Sequence, residues 1–109
     1  MSTLQGSGRA RQSSVLIIPT NHKETLEKQT DNDKEEGTIL KAVEELSELI
    51  AELSKYMSND SRATRDNVVE EIADVLIVTS RLIDLFGYAG VDFWIETKLQ
   101  RLKARQDLW

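Results

Sequence analysis

Residues 68–87 read VVEEIADVLIVTSRLIDLFG, and their pattern decides the fold. Val68, Ile72, Val75, Leu76, Thr79, Ile83 and Phe86 fall on one face of a helix, while Ile77, Val78 and Leu85 occupy much of the other. A helix that is apolar nearly all round is usually buried on both sides. The spacing predicts a helix over residues 62–86, with Ser61 or Asp66 as its N-cap. Upstream, Ile39, Val43, Leu46, Ile50, Leu53 and Met57 recur at steps of four and three, which marks one face of another long helix beginning at Thr38. Downstream, Gly87 and Gly90 bracket a turn, and residues 91–106 form a last helix with Phe93, Leu99 and Leu102 among its apolar positions.

Further from this centre the signal thins. Residues 22–30 suit a short helix, and residues 31–37 (DNDKEEG) read as a charged linker closed by a glycine. Residues 1–14 have almost nothing to bury and read as a disordered tail. The apolar run from Val15 to Ile18 ends at Pro19 and is too short and isolated to specify a sheet, so it reads as a docking arm. The expected organisation is a tail or arm over residues 1–21 and one helical domain over 22–109. The fold class is all-α, a helical bundle of three long helices and a short one.

Bulk properties narrow the function. The 109 residues contain 14 Lys and Arg against 19 Asp and Glu, a net charge of −5 that argues against a nucleic-acid polymer as partner. No apolar run approaches the roughly 18 residues of a membrane span, and no secretory signal pattern is present, so a cytoplasmic location is expected. With no cysteine and a single histidine, His22, neither thiolate chemistry nor a histidine-based metal site can be built. A domain of this size buries only roughly 60–65% of its unfolded surface, and the second long helix is apolar all round, so a dimer or tetramer is expected.

The chemistry concentrates in two acid-x-x-acid pairs, Glu45 with Glu48 on the first long helix and Glu71 with Asp74 on the second. Residues three apart on a helix are neighbours, so each helix presents two carboxylates to one cation, and two facing pairs form a four-carboxylate cage. Asp74 lies within Ile72-Ala-Asp-Val-Leu-Ile-Val78, where a charge requires a partner. Arg81, two turns along, is the best local protein candidate, yet one arginine does not neutralise two facing acidic pairs. An all-oxygen ligand set without histidine argues against iron or zinc and for Mg²⁺, with Mn²⁺ as a substitute. The bland alternative is a solvated face paired with Lys41 and Lys55, and for Glu44, Glu52 and Glu70 that reading is preferred.

The combination E-E-x-x-E on one helix and E-x-x-D on the next resembles the MazG-like, all-α nucleotide pyrophosphohydrolase superfamily, in particular small single-domain members found in phages and mobile elements. KAVEELSELIAEL and VVEEIADVLIVTSRLIDLFG extend the resemblance beyond the acids, and it covers roughly residues 38–106. It implies that Glu45, Glu48, Glu71 and Asp74 are catalytic Mg²⁺ ligands and that Glu44 is a supporting, water-positioning acid. It also implies cleavage of nucleoside or deoxynucleoside triphosphates between the α and β phosphates, giving a monophosphate and pyrophosphate without a covalent intermediate. Lys98 and Arg101 match basic positions of the family and are expected to contact phosphate. The bland reading of both is a basic helix C-terminus favoured by the macrodipole. The segment 22–30 lacks the aromatic and Gln pattern that frames the base in some relatives, so the preferred base stays open. Trp94 and Trp109 are read as core or interface residues rather than base contacts.

Two alternatives stand beside this. One is a non-catalytic helical oligomerisation or adaptor protein whose carboxylates pair with Lys98 and Arg101, although an adaptor has no need of Asp74 in an apolar stretch. The other is phosphoribosyl-ATP pyrophosphohydrolase, a related activity on a different nucleotide.

Overall fold

A computed structural model describes residues 18–108. Among them the regular structure is all helical: a 3₁₀ turn, Thr20–His22, then α1 (Lys23–Met57), α2 (Arg65–Phe86) and α3 (Tyr88–Asp107). The tail expected over residues 1–14 and the apolar run up to residue 17 lie outside the described residues. The chain divides into two units, Ile18–Leu85 with α1 and nearly all of α2, and a second to which the described residues 86–108 belong, with α3.

In the first unit, the expected short helix and charged linker prove to be the first part of α1. One residue, Lys34, leaves helical geometry (φ 64°, ψ −176°) and kinks an otherwise continuous helix. Glu35 and Glu36 are good helix formers, so the interruption does not spread. The kink is held from α2. Arg81 Nε donates to Thr30 Oγ1 (3.1 Å), and its Nη2 donates to Asp33 Oδ2 and to Thr38 Oγ1 (3.2 Å). One guanidinium thus grips the helix on both sides of Lys34, and its planar fork suits such multiple bonding. Gly37 permits the tight path after the kink, since a Cβ there would lie 3.2 Å from the Asp33 Cβ. Gln29 and Arg81 hydrogen bonds hold the Asp33 carboxyl below the usual carboxylate range.

The α1–α2 connection is specified residue by residue. Asn59 takes a left-handed conformation (φ 60°), Asn59 N donates to Tyr56 O and Asp60 N donates to Lys55 O. These two bonds make a Schellman motif with Asn at its left-handed position. Asp60 then accepts from the Arg62 backbone and guanidinium, which hold its carboxyl far below the usual range. The cap of α2 is Thr64, not Ser61 or Asp66. Asn67 N donates to Thr64 Oγ1 (3.1 Å) and Thr64 N donates to Asn67 Oδ1 (3.2 Å), a reciprocal box with Asn in the place usually taken by Glu or Gln. Asn67 is the third residue after Thr64, the spacing that a capping box requires.

Polar side chains are among the most deeply buried of this unit. Among the described residues Ala42 and Val78 are the buried apolar side chains, and Thr38, Glu45 and Arg81 are buried beside them. The face of α1 turned inward therefore runs through Thr38, Ala42 and Glu45. The apolar stripe that periodicity marks points elsewhere: Val43 is 55% exposed, Ile50 65% and Met57 81%.

In the second unit, α3 begins three residues earlier than the sequence pattern indicates. Gly87 alone makes the turn, at φ 113°, a conformation strained for any side chain, and Gly90 is helical.

Candidate functional site

All four expected metal ligands belong to the first unit, on α1 and α2. Glu45 is the pivot. Its carboxylate joins Glu44 and Glu48 in one group and Glu71 and Asp74 in another, with the oxygens of each group within 4.8 Å of one another. The acid-x-x-acid spacing on each helix places its two acids together, and the small Ala42 beside Glu45 lets the helices approach. The cluster is graded in exposure: Glu45 is buried at 7% exposure, Glu71 and Asp74 are half-buried, and Glu44 and Glu48 stand at an exposed rim. A ligand thus meets two solvated acids first and a buried one last.

The electrostatics are those of crowded like charges. Burial, followed by the charges of Glu48, Asp74, Glu45 and Glu70, raises the Glu71 carboxyl above its ordinary range. Lys41 Nζ approaches Glu45 Oε1 (3.2 Å) and Glu44 Oε1 (3.5 Å), the pairing foreseen by the bland reading. It occupies one oxygen of Glu45 only. Glu45 Oε2 and Glu71 Oε2 are buried without a hydrogen-bond partner. A buried carboxylate oxygen left unmatched is costly, and two of them in one acidic cluster fit a divalent cation with hard oxygen ligands. The donor set, all carboxylate, matches Mg²⁺ or Mn²⁺ chemistry.

Arg81 is not the counter-charge of Asp74. Its side chain is committed to Thr30, Asp33 and Thr38, so the local arginine leaves the acidic cluster unneutralised. Glu52, read from sequence as a surface acid, has a buried, unpartnered Oε2 while Lys55 lies 3.4 Å from its Oε1. Its spacing of seven residues from Glu45 and four from Glu48 was the available signal, since it puts all three on one helix face.

The basic residues expected to contact phosphate lie on α3. Lys98 Nζ and Arg101 Cζ sit 5.9 and 5.8 Å from the centre of the Trp94 ring, and Phe93 meets that ring edge-on at 5.3 Å. Trp94 is half exposed and so is no core residue among the described ones, whereas Trp109 lies outside them. Elsewhere in the first unit an open cleft of about 450 Å³ is lined by Lys23, Glu27, Thr30, Asp31, Asp84 and Leu85; it shares no residue with the acidic cluster.

Fold and site together define an all-α protein with a carboxylate cluster spanning two helices. No family model matches the chain, and neither a curated protein nor a solved structure does.

Proposed function

We propose that the chain is a Mg²⁺-dependent nucleoside triphosphate pyrophosphohydrolase of the MazG-like kind, with its cation held by Glu45, Glu48, Glu71 and Asp74. The observation that carries the reading is Glu45, a buried carboxylate shared by acidic groups from both helices, with one oxygen unmatched by any hydrogen-bond donor. A divalent cation bound there supplies charge neutralisation to phosphate oxygens and acidifies a water.

The chain's own groups then divide the work. Glu45, Glu71 and Asp74 fix the cation from the half-buried floor, and their helices keep them rigid. Glu48 completes the set at the rim, and Glu44 beside it orients a water. Lys98 and Arg101 are proposed as phosphate contacts on the chemistry of α3 alone. Overall, a nucleotide and water give a monophosphate and pyrophosphate, with no group on the protein modified.

One observation favours the second reading, a non-catalytic scaffold: Lys41 pairs with Glu44 and Glu45 and Lys55 with Glu52, so lysines of the same helix already meet part of the acidic charge. Pyrophosphate release from a panel of NTPs and dNTPs separates the two. The enzyme reading expects Mg²⁺-dependent release that Glu48→Gln and Asp74→Asn each lower by about a hundredfold or more, with helicity retained. No release from any nucleotide, with both variants folded, would leave the scaffold.

A further inference from the structure

Trp94 stands half exposed on α3, although a ring of that size is ordinarily well covered. Trp94, Lys98 and Arg101 follow at steps of four and three, which sets them along one stripe of the helix. Both cationic heads are drawn in towards the indole, Lys98 Nζ at 5.9 Å and Arg101 Cζ at 5.8 Å from the ring centre. Phe93 meets the ring at 80° and 5.3 Å, an edge contact that helps to fix its plane. Among the described residues neither cation forms an ion pair with a carboxylate, whereas on α1 Lys28, Lys41 and Lys55 each meet a glutamate. In a chain with 19 Asp and Glu against 14 Lys and Arg, two such cations gathered at an open ring leave a positive charge to be met from outside.

We infer that Trp94 is a stacking platform for the base of a nucleotide whose phosphates are met by Lys98 and Arg101. This base contact rests on the phosphate role proposed above for the two cations, and adds the other end of the same ligand. An indole offers a flat, polarisable face, and every nucleobase has a π-face to lay against it. A cation at an exposed indole is held only weakly, so each head can turn to a phosphate oxygen, a stronger partner, and uncover the ring. An uncharged aromatic ligand would leave the cations unmet, and bare phosphate would leave the indole open. A nucleotide carries both groups on one sugar. A nucleic-acid strand fits less well, because Asp92 and Glu96 on the same helix and a net charge of −5 oppose a longer phosphate track. Stacking does not read hydrogen-bonding edges, so the platform accepts purines and pyrimidines alike.

Trp109→Phe leaves Trp94 as the sole tryptophan and makes its emission the probe. Titration with Mg²⁺ and the non-hydrolysable α,β-methylene analogues of ATP and UTP is expected to quench that emission saturably. By calorimetry, Trp94→Leu should bind the analogues about tenfold more weakly and Trp94→Tyr nearly as well as wild type, with inorganic triphosphate bound alike by all three. Lys98→Gln should weaken analogue and triphosphate together. Unchanged Trp94 emission with the analogue bound overturns the inference, as does absence of analogue binding or a Trp94→Leu variant as tight as wild type. So does a single-stranded oligonucleotide that quenches Trp94 at far lower phosphate concentration than the analogues. Should Trp94→Leu not fold, the emission titration still decides. Pyrophosphate release keeps the two claims apart: release by Trp94→Leu with an unchanged KM overturns the base contact and leaves the enzyme standing, while quenching without release does the reverse.

Discussion

Burial and four neighbouring acids raise the Glu71 carboxyl above its ordinary range. Its folded-state pKa lies above the unfolded one, so its favourable contribution is complete below the unfolded value, about 4.3, and fades as pH rises through the folded value. Glu71→Gln should therefore raise the melting temperature of the metal-free protein at pH 7, and the gain should vanish towards pH 4. Melting curves of both proteins across that range check the sign. Asp33 behaves oppositely, because hydrogen bonds from Gln29 and Arg81 depress it. Its contribution is present above the unfolded value of about 3.9 and is lost as pH falls through the depressed one. Arg81→Met should lower stability at neutral pH and weaken that acid-side loss. Lys34 offers a gain: at φ 64° and ψ −176° a side chain is strained, so Lys34→Gly should stabilise by about 1 kcal/mol in chemical denaturation. The acids were legible in the sequence because three-residue spacing on a helix fixes neighbours. The arginine was not, since a helix-face reading offers Arg81 only as the best local candidate for Asp74 and nothing local reveals a partner 48 residues away.

At the scale of the element, boundaries follow from hydrogen bonds that sequence patterns only suggest. The reciprocal Thr64–Asn67 box starts α2, and Thr64→Ala should cost about 1 kcal/mol, measurable as a shift in denaturation midpoint. Ser61 and Asp66 are equally good caps by residue type, and only the pairing with Asn67 distinguishes Thr64. The stretch DNDKEEG reads as a linker from its charge, yet its acids are compatible with a helix and the break is confined to Lys34. Periodicity located the apolar stripe of α1 correctly as a helix face. It could not say that the buried face is the adjacent one, Thr38, Ala42 and Glu45, where Arg81 of α2 reaches Thr38 and the Glu71 and Asp74 carboxylates approach Glu45.

For the whole molecule, the all-helical class was legible from hydrophobic spacing alone, and among the described residues no helix is long and apolar enough to cross a membrane. What covers the stripe was not legible, since a pattern marks a surface without naming its partner. The acidic cluster and the stripe occupy different sides of α1. The central claim is that the cluster around Glu45 holds a divalent cation, and the direct measurement is calorimetric titration of Mg²⁺ into wild type and Glu45→Gln. The account predicts saturable binding by the wild type, accompanied by a higher melting temperature, with both effects lost in the variant. Absence of binding by the wild type, or equal binding by a folded Glu45→Gln, would contradict it.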